Sequence, residues 1–216
     1  MPRDNEAGAA RSYHHGDLRN ALIVAAAELI EESGSEEFAM VDAARRAGVS
    51  SAAPYRHFRD REDLLRAVGE LGFCGMGERM TAIRERLPRG STECIIELGK
   101  AYIEFVTSKP AFFDVMWGER GFMTEQGQTT EEADRAGRTM NGFYLLVDQV
   151  QAWCQAQGLE GADPMKLAMT LWALAMGLSQ LSINHHLERF APDVDYYAML
   201  TSSAHAFLAG VKQSPG

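Results

Sequence analysis

The chain has 216 residues, which is enough for one large domain or for a small domain followed by a medium one. With 46% hydrophobic and 24% charged residues, its composition is that of an ordinary globular protein. The first ten residues are polar and lack the apolar core of a signal peptide, and we find no uninterrupted apolar run of membrane-spanning length. We therefore expect a cytoplasmic protein without a membrane span.

Apolar residues recur at helical spacing almost throughout the chain, which predicts an all-α protein. Residues 1–12 are small or charged and show no apolar periodicity, so we expect a disordered N-terminal arm there. Gly, Thr and Gln residues at 118–130 predict a loop. In chain order, the predicted helices are 17–33, 40–47, 51–57, 61–87, 91–107, 110–117, 129–157, 164–188 and 193–211, with Asp60 as the cap of the fourth.

Residues 42–58 meet the requirements of a helix-turn-helix. Ala44 is small enough for two helices to cross closely, Gly48 tolerates a positive φ in the turn, and Val49 supplies an apolar residue under it. Ser50 is a suitable N-cap for the second helix. The pattern is more specific than a short Ala-Gly-Ser run, and it predicts DNA binding.

Local charge also favours nucleic acid, although the net charge of the chain is −9. Five arginines and a single aspartate lie between positions 45 and 61. We expect small residues at the start of the second helix to reach base edges in a major groove, and the polar residues after them to hold phosphates. The expected DNA-contacting residues are Ser50, Ser51, Ala52, Ala53, Tyr55, Arg56, His57 and Arg61.

The N-terminal part of the chain resembles the TetR-type (tetracycline-repressor) regulators in YHHGDLR at 13–19, AGVS at 47–50, APYRHF at 53–58 and REDLL at 61–65. A looser likeness, LWALAMGL at 171–178, is similar to the branch whose C-terminal domain carries a Trp-x-x-x-His-Gly signature. The resemblance implies three N-terminal DNA-binding helices at 13–66 and a larger helical domain at 67–216 for ligand binding and dimerisation. It also implies that a small molecule relieves operator binding, that Tyr55, His57 and Arg61 hold phosphates, and that Phe58 is core.

Three positions depart from the family pattern. Val41 and Ala39 stand where relatives often carry Arg and Ser or Thr, which removes two plausible phosphate contacts. Met176 replaces the signature histidine, so no polar role carries over to that position.

Aromatic and methionine side chains crowd the predicted second domain. Such stripes are usually plain core, but flexible methionines also suit a chamber for apolar ligands, and the resemblance implies such a ligand. Glu104, Asp114 and Asp148 lie on the same predicted helices, and any of them turned inward would favour a cationic ligand instead. The expected ligand-binding residues are Phe73, Met76, Met80, Tyr102, Phe105, Met116, Trp117, Phe143, Trp172 and Met176.

The predicted helix at 164–188 carries apolar residues on two faces, so one face could line the chamber while the other meets a second copy of the chain. The last helix could pair beside it, which would give a four-helix interface in a homodimer. The expected interface residues are Leu174, Leu178, Leu181, Tyr197, Leu200, Ala204 and Phe207.

We find no glycine-rich phosphate loop and no catalytic triad or paired-acid motif, and so we expect neither an enzyme nor a cofactor. His185, His186 and His205 lack a carboxylate at ligand spacing, and we expect no metal. The predicted function is a sequence-specific transcription regulator, in its simplest form a repressor released from its operator by a mainly apolar small molecule. The alternatives are a helical-bundle enzyme that binds small molecules and a protein adaptor, neither of which would bind DNA.

Overall fold

The computed structural model describes residues 15–117 and 141–213, and within these ranges every regular element is helical. The all-α prediction is therefore confirmed. The predicted arm at 1–12, the predicted loop at 118–130 and the beginning of the predicted helix at 129–157 lie outside the described residues. The helices are α1 (His15–Ser33), α2 (Met40–Arg46), α3 (Arg61–Arg86), α4 (Thr92–Ser108), α5 (Pro110–Trp117), α6 (Asn141–Ala156), α7 (Pro164–Ile183), α8 (His186–Phe190) and α9 (Tyr196–Gln213).

The chain divides into two compact units after Val68, a point that lies within α3. The first unit contains α1, α2 and the beginning of α3, together with a single 3₁₀ turn at Pro54–Arg56. Apolar side chains from these elements form its core. They include Leu22, Ile30, Ala43, Ala44, Phe58 and Leu64.

The centre of the second unit is α4, which packs against α5, α6, α7 and α9. Its apolar residues are spaced so that one broad face is buried, with Ile95, Leu98 and Tyr102 among them. The hydroxyl of Ser91 accepts a hydrogen bond from the Cys94 backbone N–H at 3.0 Å, and this cap starts the helix.

A tight corner before α4 is packed directly against α6. Gly90 has φ +73°, and a Cβ at this position would lie 2.7 Å from the backbone carbonyl carbon of Ala152, so only glycine fits without a shift. The Gly90 N–H donates to Oε1 of the buried Gln149 at 2.9 Å. Trp153 Nε1 donates to the Thr92 hydroxyl at 3.1 Å. These bonds satisfy buried polar groups and hold the corner in place.

Helix α7 ends at Ile183, five residues before the predicted end at 188. The chain turns at His185, which adopts φ 56°, and the short helix α8 follows. By length and composition alone, α7 is the one described helix that could cross a membrane, with a mean hydropathy of 1.2 over 18 residues. Core helices of soluble proteins meet the same test, and α7 packs against α4 and α6.

Candidate DNA-binding surface and interior cavity

The corner after α2 has the geometry that the helix-turn-helix pattern predicts. Gly48 has φ +70°, and its N–H donates to the Arg45 carbonyl at 3.1 Å. The Val49 N–H donates to the Ala44 carbonyl at 2.9 Å, which completes a Schellman motif. Ala44 is fully buried at the helix end. The left-handed residue therefore ends α2 and redirects the chain into the predicted recognition segment.

The predicted helix at 51–57 is wrong in its length and type, because this segment forms turns and one 3₁₀ turn. Pro54 has no N–H to donate, and its carbonyl accepts from both His57 and Phe58 at 2.9 Å. Ser50 is not an N-cap either. Its backbone carbonyl accepts from the Ala53 N–H at 2.9 Å, and the 3₁₀ turn has no side-chain cap.

The predicted DNA-contacting residues nevertheless lie at the surface of the first unit. Tyr55 is 61% exposed, so this large aromatic side chain is not part of the core. Phe58, three residues further along the chain, is buried in the core as expected. The guanidinium of Arg19 lies 5.1 Å from its ring centre. The exposed members of the set are Ser50, Ser51, Ala52, Tyr55 and Arg56, and the half-buried members are Ala53, His57 and Arg61.

Folding neutralises part of the positive charge that the sequence places at 45–61. Arg46 pairs with Glu28 and Glu32 of α1, and the hydrogen bond from Arg46 lowers the pKa of the Glu32 carboxyl. Arg45 pairs with Asp42 at 2.9 Å. Arg56, in contrast, has no acidic partner within the described residues. It is therefore the arginine of this segment best placed to attract a phosphate.

Arg61 also has a structural role that its sequence position does not reveal. Its Nη1 donates to the backbone carbonyl of Glu36 at 3.0 Å, and its Nη2 lies 3.6 Å from the Glu62 carboxylate. The side chain is three-quarters buried. The expected phosphate contact from Arg61 would thus compete with a bond that holds the loop before α2.

The position of Ala39 is the N-cap of α2, with φ −91° and ψ 145°. Alanine offers no oxygen to the free N–H groups of the first turn, and the Ala39 N–H itself donates to Asp42 Oδ2 at 3.4 Å. From sequence, a Ser or Thr at this position is expected to contact phosphate. The backbone conformation assigns such a residue a capping function instead.

The second unit contains a cavity of about 30 Å³ whose walls come from α3, α4, α5, α6, α7 and α9. Among the described residues, no lining side chain is charged. The predicted residues that line it are Phe73, Met76, Met80, Tyr102, Trp117, Phe143 and Trp172. The lining residues that the sequence analysis did not predict for this role are Ile95, Ile96, Leu98, Gly99, Gly142, Leu146, Leu171, Ala175, Leu200 and Ala204.

Three predicted ligand residues, Phe105, Met116 and Met176, do not line this cavity. Phe105 and Met116 are buried in the surrounding core, whereas Met176 is half-buried on α7. Helical periodicity could have identified two of the missed residues. Ile95 and Leu98 share the buried apolar face of α4 with Tyr102, which was predicted.

The acidic residues that could have favoured a cationic ligand point elsewhere. Glu104 and Asp114 are exposed. Asp148 accepts a hydrogen bond from Arg89 Nε at 3.2 Å, and this arginine holds the pKa of the carboxyl below its usual value. None of the three lines the cavity, so the cationic alternative loses its basis.

Aromatic rings make up one wall of the cavity. The ring centres of Trp117 and Trp172 are 5.4 Å apart, and those of Phe143 and Trp172 are 5.6 Å apart. Phe73 meets Trp117 edge-on at 4.9 Å. Tyr102 is 2% exposed, and its burial raises the pKa of the phenol well above its ordinary value. Among the described residues, the side chains of this wall are apolar except at this hydroxyl and the two indole N–H groups.

The predicted dimer residues divide into two groups. Leu178, Leu200 and Ala204 are buried within their own chain, and the last two line the cavity, so these three cannot present a surface to a second copy. Helix periodicity identified them as apolar, but it could not show which face of the helix turns inward. Leu181 is 40% exposed. The remaining residues, Leu174, Tyr197 and Phe207, are half-buried.

Comparison with known proteins agrees with this organisation. Residues 22–68 match the family model described as bacterial regulatory proteins, tetR family. Residues 95–205 match the model described as tetracyclin repressor-like, C-terminal domain. The second match alone spans half of the chain, and each match falls within one of the two compact units.

Solved structures share the fold. A protein of unknown function from Rhodococcus sp. RHA1 is 25% identical, with 93% of this chain and 98% of that chain covered and a TM-score of 0.75. The regulator FadR from Bacillus subtilis, solved with stearoyl-CoA, is 17% identical, with 88% and 98% covered and a TM-score of 0.63. A TetR/AcrR-family regulator from Thermobifida fusca YX-ER1 is 19% identical, with 90% and 98% covered and a TM-score of 0.63.

The glycine corner and the exposed segment after it lie within the first family match, and most of the cavity lining lies within the second. The chain therefore belongs to the TetR family of bacterial regulatory proteins and is a DNA-binding transcription regulator.

Proposed function

We propose that the protein is a cytoplasmic, homodimeric repressor that leaves its operator when a mainly apolar small molecule binds in the second unit. The observation that carries this proposal is the cavity, whose described lining comes from six helices and contains no charged side chain. The family match over residues 22–68 favours this reading over a helical-bundle enzyme or an adaptor without DNA binding.

The size of the cavity restricts how an effector enters. A volume of about 30 Å³ holds roughly two water molecules, so an effector has to displace side chains. Met76 and Met80 line the cavity, and unbranched thioether side chains adopt new rotamers at low cost. The FadR structure contains stearoyl-CoA, a ligand with a long apolar chain, which supports an effector with an apolar body. Within residues 15–117 and 141–213, no lysine or arginine lines the cavity to receive a charged head group.

Helix α3 supplies the connection between ligand and DNA. Leu64 and Leu65 belong to the core of the first unit, whereas Phe73 and Met76 of the same helix line the cavity. A ligand that displaces the latter pair shifts the population between DNA-binding and non-binding states. Its effect equals the difference in its affinity for the two states, typically about 1–3 kcal/mol.

The dimer proposal is supported by an apolar surface that the chain itself leaves uncovered. Met165, Met169 and Leu181 of α7 and Met199 of α9 are each at least 40% exposed. Only 28% of the apolar window of α7 is buried. Removing this surface from water would stabilise a pair of copies. Two copies would then read half-sites about 34 Å apart.

We also propose that the chain belongs to the branch with the Trp-x-x-x-His-Gly type of C-terminal domain. Trp172 lines the cavity and Gly177 follows at the signature spacing, with Met176 between them in the place of histidine. Restoring the histidine with Met176→His should leave the fold intact because the side chain is half-buried and outside the cavity lining. A loss of folded protein would contradict this assignment of the position.

The proposal is tested in two steps. Pull-down of genomic fragments with the purified protein, followed by sequencing, identifies the operator. Uncharged aromatic and aliphatic compounds are then titrated with and without operator DNA. Because coupling is reciprocal, a releasing ligand binds more weakly when the operator is present. Met76→Trp, which fills the cavity, is expected to lower ligand affinity while operator binding persists. Equal ligand affinity in both conditions would contradict release.

A further inference from the structure

The hydroxyl of Tyr102 is a polar atom that the fold leaves without a partner. The residue is 2% exposed and lies in the lining of the cavity. Its oxygen has no hydrogen-bond partner among the described residues. Buried hydroxyl groups are almost always paired, because an unpaired one has lost its water without replacement. A feature of this kind in the wall of a ligand cavity calls for a partner from outside the chain.

The surrounding side chains explain why the protein does not supply that partner. The indole of Trp172 lines the same cavity and opposes the burial-driven rise in the pKa of Tyr102, but the two groups do not have the geometry of a hydrogen bond. An indole N–H can only donate, so the phenolic proton still has no acceptor. The other described side chains of the lining are hydrocarbons, a second indole and the thioethers of Met76 and Met80, which accept hydrogen bonds weakly.

We propose that the effector carries an uncharged hydrogen-bond acceptor, such as a ketone or ester carbonyl, which accepts the proton of the Tyr102 hydroxyl. This inference rests on the proposed function, because it specifies the chemistry of the ligand that enters the cavity. An ionised carboxylate is disfavoured, since none of the lining residues that the structure describes is cationic and an unpaired buried charge is costly. A pure hydrocarbon would leave the hydroxyl unpaired. The acceptor thus sets specificity within an otherwise apolar site.

The test uses two probes of nearly equal shape, acetophenone and α-methylstyrene, in which a carbonyl oxygen replaces a methylene group. Both are titrated calorimetrically into the full-length protein and into Met80→Ala, which enlarges the cavity at a lining residue. Each titration is repeated with Tyr102→Phe added. In this double-mutant cycle, the desolvation of the ketone is common to both proteins and cancels.

We expect the preference for acetophenone over α-methylstyrene to fall by about five- to tenfold when Tyr102 becomes Phe. The affinity for α-methylstyrene should stay the same. Without ligand, Tyr102→Phe should leave the melting temperature unchanged or raise it, because the hydroxyl has no partner to lose.

The other outcomes separate two failures. If both probes bind and the preference is the same with Tyr and Phe, the acceptor is not recognised by Tyr102, and this inference is overturned while the ligand cavity stands. If neither probe binds even to folded Met80→Ala, the cavity takes no ligand and the proposed function fails as well. A drop of several degrees in the melting temperature of Tyr102→Phe would mean that the hydroxyl is already paired, which also overturns the inference.

Discussion

The two units form their sites in opposite ways. In the first unit, the candidate DNA surface comes from one continuous stretch of chain around Gly48 and Pro54, held by backbone hydrogen bonds within a few residues. In the second unit, the described part of the cavity lining comes from six helices that are distant in sequence. The first site is exposed and rich in donors, and the second is buried with Tyr102 as its single unpaired hydroxyl among the described residues.

This contrast determines which features can be predicted from a short stretch of sequence. A backbone turn depends on residues that are neighbours in sequence, so its pattern is visible before folding. The charge at the surface of the first unit is different, because it depends on residues that are distant in sequence. Arg46, for example, is neutralised by Glu28 and Glu32 from α1. A charge count along the chain therefore overstates the charge that DNA would meet.

The largest expected effect concerns the outer face of the second unit. Gly177 is exposed on α7, and a Cβ at this position would meet nothing within 4 Å, so Gly177→Arg leaves the single chain intact. If two copies meet at this face, the buried charge should weaken the dimer by about a hundredfold or more. Sedimentation equilibrium measures the change.

Gly161→Arg is the matched control, because Gly161 is also exposed and open but lies in the turn before α7. It should leave the dimer unchanged. A Gly177→Arg protein that dimerises like the Gly161→Arg protein would remove α7 from the interface. Leu178→Asp would be a poor test, since Leu178 is buried within its own chain and the variant would unfold.

The next largest effect separates the energetic cost of a steric clash from the cost of a positive φ. Gly90 and Gly158 both have positive φ, but only at Gly90 would a Cβ meet the backbone of α6, at 2.7 Å. We expect Gly90→Ala to lower the free energy of unfolding by about 3 kcal/mol and Gly158→Ala by about 1 kcal/mol. Urea denaturation of both variants measures the difference. Equal losses would mean that the corner can shift without cost.

The same substitution in the first unit extends this comparison. Gly48 has φ +70° and open space around a Cβ, so Gly48→Ala should cost about 1 kcal/mol, like Gly158→Ala. A loss as large as that of Gly90→Ala would show that the corner has packing neighbours beyond the described contacts.

A smaller effect is expected at the DNA surface. Arg56→Ala should weaken operator binding by about tenfold at low salt and reduce the slope of log affinity against log salt by about 0.9, because one phosphate contact is lost. Arg46→Ala is the matched control, since Arg46 already pairs with Glu28 and Glu32. Fluorescence anisotropy over a salt series measures both. An equal change in slope for the two variants would contradict the distinction between free and paired arginines.

The smallest effect concerns the cap of α2. Ala39→Thr should raise the free energy of unfolding by about 1 kcal/mol, because the new hydroxyl can accept from a free N–H of the first turn. Ala39→Val has the same shape without the oxygen and serves as the control. If the two variants are equally stable, position 39 does not act as a cap.

Prediction from sequence succeeded for most helix bounds, but it failed at the proline-containing turn and where the partner of an element decides which face is buried. Helices α2, α4 and α5 begin and end within a residue or so of their predicted bounds, since apolar spacing and Gly or Pro signals are local. The segment after Gly48 was expected to be helical, but Pro54 cannot donate and a 3₁₀ turn forms instead. Leu200 and Ala204 were placed on an interface, because periodicity alone cannot tell which apolar face turns inward.

The amino-acid sequence by itself determined the helical class, the glycine corner of the helix-turn-helix and the apolar, aromatic character of the second unit, because these depend on periodicity and on the conformational freedom of single residues. Only the tertiary structure decided that Arg46 is neutralised, that Glu104 and Asp148 point away from the cavity, and that the Tyr102 hydroxyl is unpaired. Each of these depends on which side chains distant segments bring into contact, and helix packing sets those contacts.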